Sequence, residues 1–231
     1  MMFKEPRELA RLIDHTLLKP EATAADIGRL CDEAIQYSFA TVCVAPCYVE
    51  IAAKRLEGTG VKVCSVVGFP LGNSSISVKI VEALEALKLG AQELDMVINL
   101  GALKSGDDEY VKNEVLNLVN VCQKVVLKVI LETGALTPEE IVRGARLVLE
   151  AGAKWVKTST GFNCRGSTVK DVRLLKKTVG NQGFIKASGG IRTLAAVESM
   201  VKAGASRIGT SHGVSIMQAY LSLRAKRDRS S

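Results

Sequence analysis

Short β-branched runs alternate with amphipathic helical stretches along almost the whole chain, and this alternation constrains the fold more than any other sequence feature. Such a pattern is typical of a parallel sheet whose strands are joined by helices. It predicts seven strands, at residues 40–45, 61–67, 93–99, 125–131, 154–158, 184–187 and 206–209. A shorter run at residues 12–16 supplies an eighth strand, ahead of a helix at residues 24–37.

Glycine, proline and capping residues mark the helices between these strands. The helix predicted at residues 77–89 ends at Gly90, and the helix that begins with Thr137 and Pro138 ends at Gly152. Another helix is predicted at residues 168–178. Three helices end in a Gly-Ala dipeptide that leads into the next strand, and this recurrence is a weak internal repeat. Eight strand–helix units predict an α/β fold, a single (β/α)₈ TIM barrel.

The length of 231 residues suits one barrel domain over residues 1–231, with a flexible basic tail at about 223–231. An open doubly wound sheet is the structural alternative. No GxGxxG follows the first predicted strand and no Walker A sequence occurs, so the closed barrel is favoured.

The net charge of +7 is compatible with an anionic partner, but it does not indicate nucleic acid. Much of the excess positive charge lies in the tail. This segment contains four basic residues and one acidic residue: Arg224, Lys226, Arg227, Arg229 and Asp228. Aromatic residues make up 4% of the chain, which leaves few platforms for base stacking. We expect no nucleic-acid partner, and a small phosphorylated metabolite suits the same charge.

No apolar run approaches the roughly 20 residues that span a bilayer, and the N-terminus lacks the pattern of a secretory signal. A cytoplasmic protein with no membrane partner is expected. Four of the six cysteines, Cys31, Cys43, Cys64 and Cys122, lie in apolar segments and are interpreted as buried thiols. No CxxC pair occurs, and no recognisable zinc site forms with the two histidines, so no metal is expected.

Four charged residues fall in or near the last half of predicted strands, where inward positions of a barrel are otherwise apolar. They are Asp14, Asp95, Lys157 and Lys186. Active sites of TIM barrels form at the carboxyl ends of the strands, so these four residues are the candidate catalytic set. A single lysine at a strand end more often extends to solvent than takes part in catalysis. Here Lys157 and Lys186 occupy the same relative position in consecutive strands, which favours a shared function.

Two neighbouring ammonium groups that are partly buried disfavour each other's charge, so one lysine should have a depressed pKa. A neutral amine can form an imine with a carbonyl substrate, and the protonated imine then draws electrons from a breaking carbon–carbon bond. Asp95 is a candidate proton shuttle, or else a fixed countercharge to a lysine. For Asp14 the countercharge role is favoured, with Lys186 as the residue that it positions.

Glycine-rich loops follow the last two predicted strands, at residues 188–192 and 209–213, and each leads into a helix. Loops in these positions commonly bind phosphate in this fold, although glycine pairs also occur in ordinary turns. The loop at residues 161–167 is a candidate segment for covering a substrate. His212 is either a phosphate contact or a helix cap and stays outside the catalytic set, and Trp155 is interpreted as a packing residue.

Six stretches resemble the deoxyribose-phosphate aldolases, the DeoC family of class I aldolases. They span residues 12–18, 41–44, 93–99, 129–133, 156–162 and 185–192, in order along almost the whole chain. The resemblance implies that Lys157 forms the imine, that Lys186 lowers its pKa, and that Asp95 acts in proton transfer with a bound water. It also implies a phosphate site, whose residues would be Gly189, Gly190, Gly209 and Ser211.

The same resemblance implies reversible cleavage of 2-deoxy-D-ribose 5-phosphate to D-glyceraldehyde 3-phosphate and acetaldehyde, with no cofactor, by a homodimer. Some members end in a tyrosine that reaches the active site, whereas this chain ends at Ser231 without one. Two alternatives stay open. One is an imine-forming aldolase for another sugar phosphate. The other is a non-catalytic barrel that binds pyridoxal phosphate through a lysine.

Overall fold

Eight parallel strands close into one barrel in the order of the chain, β1 to β8, so the predicted TIM barrel is confirmed. The computed structural model describes residues 2–228. The strands are β1 Ile13–Leu17, β2 Thr41–Val44, β3 Lys62–Val67, β4 Glu93–Val97, β5 Val126–Ile130, β6 Trp155–Lys157, β7 Phe184–Ser188 and β8 Arg207–Thr210.

Helices surround the barrel. They are α1 Pro6–Ala10, α2 Ala24–Tyr37, α3 Val49–Leu56, α4 Ile76–Lys88, α5 Leu100–Lys104, α6 Asp108–Val121, α7 Pro138–Glu150, α8 Val169–Val179, α9 Leu194–Ala203 and α10 Gly213–Asp228. Two short 3₁₀ turns, Pro46–Tyr48 and Thr133–Ala135, lie in the connections after β2 and β5. The short helices α1 and α5 were not predicted.

Side-chain caps determine where several of the connecting helices begin. Thr23, Thr137 and Thr168 each form a capping box with an acidic residue three positions later, at the start of α2, α7 and α8. These boxes satisfy backbone N–H groups that have no partner within the helix. Each of these helices therefore starts at a defined residue after its strand. The loop between the strand and the helix then lies at the mouth of the barrel.

The apolar core lies mainly between the outer face of the barrel and the helices, where it forms one continuous cluster. A second, much smaller apolar cluster contains Cys43, Cys64 and Val66 from β2 and β3. Charged side chains occupy much of the remaining interior. Lys128 on β5 lies 4.0 Å from Asp14 on β1, and these strands are on opposite sides of the barrel, so both side chains point inward.

The segment with the predicted basic tail, at about residues 223–231, is helical up to Asp228. Tyr220 is buried and anchors α10, and Arg224 pairs with Glu5, so this part of the chain continues a packed helix. The rest of the predicted tail, residues 229–231, lies outside the described residues. Within residues 2–228, no helix has both the length and the apolar character that crossing a bilayer requires.

Candidate active site

The interior of the barrel holds a network of charged side chains from six strands, and all four predicted catalytic residues belong to it. Its carboxylates are Asp14, Glu93 and Asp95, and its basic groups are Lys128, Lys157, Lys186 and Arg207. Strand pairing explains how they meet. Lys157 is in register with Lys186 on the next strand, and Asp95 is in register with Lys128.

One oxygen of Asp95 joins the two lysines that the sequence analysis paired. The Nζ atoms of Lys157 and Lys186 each lie 2.7 Å from Asp95 Oδ2. Lys157 is 3% exposed, whereas Asp95 and Lys186 are fully buried. Lys157 is therefore the member of this triad that lies nearest to solvent, and the other two lie behind it.

Opposite charges decide the ionisation of the groups behind Lys157. Burial alone would raise the pKa of Asp95, but the positive charges of Lys128 and Lys186 and the contact with Lys157 hold it well below its usual range. Burial alone would likewise lower the pKa of Lys186, but the carboxylates of Asp14 and Asp95 raise it. Asp95 is thus a carboxylate and Lys186 an ammonium, so Lys186 supplies a permanent positive charge beside Lys157.

Asp14 lies against the far side of Lys186, as the sequence analysis expected of a countercharge. Its Oδ2 atom is 2.5 Å from Lys186 Nζ, and its Oδ1 atom is 2.6 Å from the guanidinium of Arg207. Burial opposes the ionisation of Asp14, but Lys186, Arg207 and Lys128 outweigh it and lower the pKa of this carboxyl. The role of Asp14 in positioning Lys186 stays a prediction.

A cavity of about 310 Å³ opens at the carboxyl ends of the strands, within the size range of small-molecule sites. Lys157 lies in its wall. The cavity is also lined by all four residues predicted to bind phosphate, Gly189, Gly190, Gly209 and Ser211. The lysine predicted to form the imine and the loops predicted to bind phosphate therefore line one cavity.

Glycine is required at two of these positions for different reasons. Gly190 has a φ of 77°, a left-handed conformation that side chains rarely adopt. At Gly209, a Cβ atom would lie 2.9 Å from the Cβ of Ser188 and 3.0 Å from the Cε of Lys186. A side chain at residue 209 would therefore collide with Lys186, one of the lysines that contact Asp95. The second phosphate loop is thus coupled sterically to the charged network.

Comparison with known proteins relates this chain to a family of aldolases. A family model described as DeoC/LacD family aldolase matches residues 9–222. The chain belongs to this aldolase family. A deoxyribose-phosphate aldolase from Thermoanaerobacter sp. (strain X514) is 51% identical over 219 residues, which cover 94% of this chain and 98% of that protein. One from Geobacillus sp. (strain WCH70) is 53% identical over 211 residues, covering 91% and 95%.

A solved structure leads to the same family. The deoxyribose phosphate aldolase from Aeropyrum pernix, described as a unique tetramer, superimposes with a TM-score of 0.90 at 38% identity, covering 96% of this chain and 94% of that one. The resemblance stated from the sequence motifs is therefore confirmed, and this chain is an aldolase with a single barrel fold.

Sequence reasoning missed the residues that complete the network of this aldolase. Lys128 is fully buried, with its Nζ atom 3.0 Å from Asp95 Oδ1 and 2.6 Å from Glu93 Oε2. Arg207 bridges Asp14 and Glu93. A signal was present, because two charged residues at alternate positions of β4, Glu93 and Asp95, and a lysine in the middle of β5 are unusual in strands that are otherwise apolar.

The cavity is also lined by two basic side chains that the sequence did not single out. Lys19 follows β1, and Arg192 comes two residues after Gly190. Both line the same cavity as the phosphate loops. Arg192 stood in a motif that carried the family resemblance, so its position after a glycine pair was a usable signal.

Two thiols lie next to the network. The ligand atoms of Cys43, Cys64 and Asp95 lie within 4.8 Å of one another, a spacing that a metal ion would accept. Both Asp95 oxygens, however, contact lysine ammonium groups, which would compete with a cation. The expectation of no metal remains a prediction. Cys43 is buried in the small interior cluster, in agreement with its interpretation as a core residue.

The loop at residues 161–167 contacts the loop that follows β3. The Phe162 ring meets the Phe69 ring edge-on, with centroids 5.2 Å apart, and Asn163 Nδ2 donates to Pro70 O at 2.7 Å. Phe162 also lines the cavity. These contacts give the loop a defined place at the rim, and its closure over a substrate stays a hypothesis.

Proposed function

We propose that this aldolase cleaves 2-deoxy-D-ribose 5-phosphate reversibly to D-glyceraldehyde 3-phosphate and acetaldehyde, with Lys157 as the imine-forming residue. The observation that carries this proposal is the placement of Lys157. Its amine lies in the wall of the cavity and contacts Asp95, and the fixed positive charge of Lys186 lies on the same Asp95 oxygen. A nearby fixed positive charge favours the neutral, nucleophilic form of an amine.

The reaction begins when the Lys157 amine attacks the C1 aldehyde of the open-chain sugar. Loss of water then leaves a protonated imine. The C2–C3 bond breaks, its electron pair moves toward the imine, and the proton of the C3 hydroxyl passes to a base. Asp95 is the base on this proposal, acting through a water molecule, and its low pKa makes it an ionised acceptor.

Cleavage releases D-glyceraldehyde 3-phosphate and leaves an enamine on Lys157. Protonation of the enamine at C2 gives the imine of acetaldehyde, and water hydrolyses it to acetaldehyde and the free amine. In this scheme Lys186 acts through its charge and Asp14 holds it in place, because Lys186 and Asp14 lie 2.5 Å apart behind Lys157.

The phosphate of the sugar would lie at the opposite end of the cavity, against Gly189, Gly190, Gly209 and Ser211. The positive side chains of Lys19 and Arg192 line the same cavity and complement a phosphate dianion. A substrate that spans from Lys157 to these loops has its aldehyde and phosphate at opposite ends, as an open-chain sugar phosphate does.

A coupled assay tests the substrate directly. The purified protein is incubated with 2-deoxy-D-ribose 5-phosphate and EDTA, and D-glyceraldehyde 3-phosphate is measured as it forms. We expect turnover that EDTA does not reduce. Turnover of another sugar phosphate at a much higher kcat/KM would favour the rival aldolase. A yellow protein that borohydride bleaches, with no turnover, would favour the pyridoxal phosphate carrier.

We also propose that the protein is a homodimer in the cytoplasm. On and before α4, four apolar side chains are more than half exposed: Leu71, Val78, Val81 and Leu84. Leu71, Val78 and Val81 line one groove, and an exposed apolar surface of this kind is typical of an interface between subunits. Four cysteines are buried as free thiols, a state that a reducing compartment preserves. Light scattering should give a dimer mass for the wild type and a monomer mass for Val81→Glu, and an unaltered mass in the variant would exclude this surface.

A further inference from the structure

Lys128 is a buried basic residue that the scheme above does not use. It lies in the middle of β5, points into the barrel and is fully buried. Its ammonium group contacts Glu93 Oε2 at 2.6 Å and Asp95 Oδ1 at 3.0 Å, and it lies 3.7 Å from Cys64 Sγ. Burial would lower the pKa of Lys128, but Asp95 and the neighbouring acids raise it well above its usual range. Lys128 is therefore a permanent cation.

The charges of the network balance only if one basic group is neutral. Within residues 2–228, the network contains three carboxylates, at Asp14, Glu93 and Asp95. Its cations without Lys157 are Lys128, Lys186 and Arg207, which also number three. A charged Lys157 would therefore leave one excess positive charge in a buried site, where uncompensated charge is costly.

Lys128 and Lys157 contact opposite oxygens of the same carboxylate. Lys128 contacts Oδ1 of Asp95, and Lys157 shares Oδ2 with Lys186. Without Lys128, two cations would face three carboxylates. An ammonium on Lys157 would then restore neutrality, and the amine would lose its nucleophilic lone pair. Lys128 contacts Asp95 and Glu93 and acts through their charges, so it has this effect without touching a substrate.

We propose that Lys128 is a positioning residue for catalysis, which neutralises Asp95 and Glu93 and thereby leaves Lys157 as a free amine at neutral pH. This inference rests on the proposed role of Lys157 in imine formation. It differs from the role of Lys186, because Lys128 contacts Oδ1 of Asp95, whereas Lys186 shares Oδ2 with Lys157.

Other titratable groups face this network and have to be accounted for. Cys43 on β2 and Cys64 on β3 lie beside Asp95. Burial raises the pKa of the Cys64 thiol well above its usual range, so it is uncharged. A hydrogen bond with Cys64 lowers the pKa of Cys43, so a thiolate there would add negative charge. Lys62, half exposed on β3, lies 3.9 Å from Glu93 and is screened by solvent.

The test measures the protonation of Lys157 directly. Wild type and Lys128→Met are incubated with acetaldehyde and cyanoborohydride from pH 5 to pH 9, and peptide mapping gives the rate of ethylation of each lysine. We expect Lys157 to be labelled in both proteins. In Lys128→Met, the midpoint of its pH dependence should move to higher pH by about one unit or more, because the unbalanced carboxylates favour the ammonium.

Two further variants separate charge from structure. Lys128→Met/Glu93→Gln removes one cation and one carboxylate, so its midpoint should return toward that of the wild type. Glu93→Gln alone removes only a negative charge, and its midpoint should move to lower pH. A purely structural role for Lys128 predicts no such return and no opposite shift. The Lys128→Met shift should also persist in a Cys43→Ala background, and its loss there would assign the effect to the thiol.

The outcomes distinguish this inference from the proposed function. Labelling of a lysine other than Lys157 would overturn the proposed function. Labelling of Lys157 with the same midpoint in all variants would overturn only the role of Lys128. Circular dichroism checks that each variant is folded. If Lys128→Met does not fold, the shift of Glu93→Gln to lower pH carries the test alone, and an unchanged midpoint in that variant overturns the inference.

Discussion

Two buried ionic clusters in this protein show opposite electrostatic behaviour. One is the network inside the barrel, and the other is the pair formed by Lys79 of α4 and Glu114 of α6, whose side chains are fully buried. In the pair, Lys79 Nζ lies 2.5 Å from Glu114 Oε1 and donates at 2.7 Å to the carbonyl oxygens of Gly72 and Val97. The pair thus ties the loop after β3 to the end of β4.

Burial determines the ionisation of this pair. It lowers the pKa of Lys79 and raises the pKa of Glu114, and the attraction between the two groups only partly offsets the effect. In the network the shifts are reversed, because Asp95 has a lowered pKa and Lys186 a raised one despite complete burial. The difference is the number of opposite charges, since Asp95 contacts three lysines and Lys186 contacts two carboxylates.

The charges of the Lys79–Glu114 pair stabilise the fold, whereas the network can also supply a group for a reaction. A single pair can satisfy its own hydrogen bonds and fix a loop, but it holds no excess group for a reaction. The network holds three carboxylates and four basic side chains, so one basic side chain has no carboxylate to itself. On the proposed scheme that side chain is Lys157, which shares Asp95 with Lys128 and Lys186 and lies in the wall of the cavity. The variants below test this division, from the largest expected effect to the smallest.

Replacement of Lys157 should have the largest effect. Lys157→Met removes the nucleophile but keeps the approximate shape of the side chain. We expect activity to fall by about four orders of magnitude or more, because the covalent route is lost. The coupled assay measures this, with Lys88→Met as a control for a lysine on the surface. Residual activity within tenfold of the wild type would place the nucleophile elsewhere.

Asp95→Asn should have the next largest effect. The change keeps the size of the side chain but removes both the proton acceptor and the charge that all three lysines share. We expect kcat to fall by about 10³-fold, in the range of general acid–base contributions. Asp32→Asn, at an exposed pair with Arg55, is the matched control. A comparable loss in both variants would mean that the effect is not specific to the network.

Lys79→Met tests the structural pair. It leaves Glu114 buried without its cation, so the free energy of unfolding should fall by about 3–5 kcal/mol. Urea unfolding measures the loss, and kcat of the folded protein should stay close to that of the wild type. Lys79→Met/Glu114→Gln should recover part of the stability. If kcat falls while stability is retained, the distinction between the two clusters is wrong.

Lys186→Leu should shift the pH dependence of catalysis. Loss of this positive charge removes a repulsion that disfavours the ammonium form of Lys157, so less of the nucleophilic amine is present at low pH. The acid limb of the kcat/KM profile should therefore move upward by about one unit or more, with roughly a tenfold loss of rate on that limb. Lys177→Leu, on the exposed face of α8, is the control, and an unchanged profile in Lys186→Leu would refute the role.

The barrel and four of the seven network residues could be predicted from the sequence because both leave local signals. Alternating runs and capping residues act within a few positions of the chain, so they indicate strands and helices without tertiary information. Asp14, Asp95, Lys157 and Lys186 were recognisable because a charged residue near a strand end is conspicuous in an apolar run. Family motifs around the same residues then indicated the chemistry.

Only the tertiary structure decided how these charges are shared. Lys128, Glu93 and Arg207 stand on three different strands, and nothing in their local sequence says that they meet Asp95 or Asp14 across a closed barrel. The ionisation of each group depends on the sum of its neighbours at distances of about 3 Å, which the chain order does not contain. The sequence by itself therefore determined the fold and indicated the candidate imine-forming lysine, Lys157, whereas barrel closure decided which charges surround that lysine.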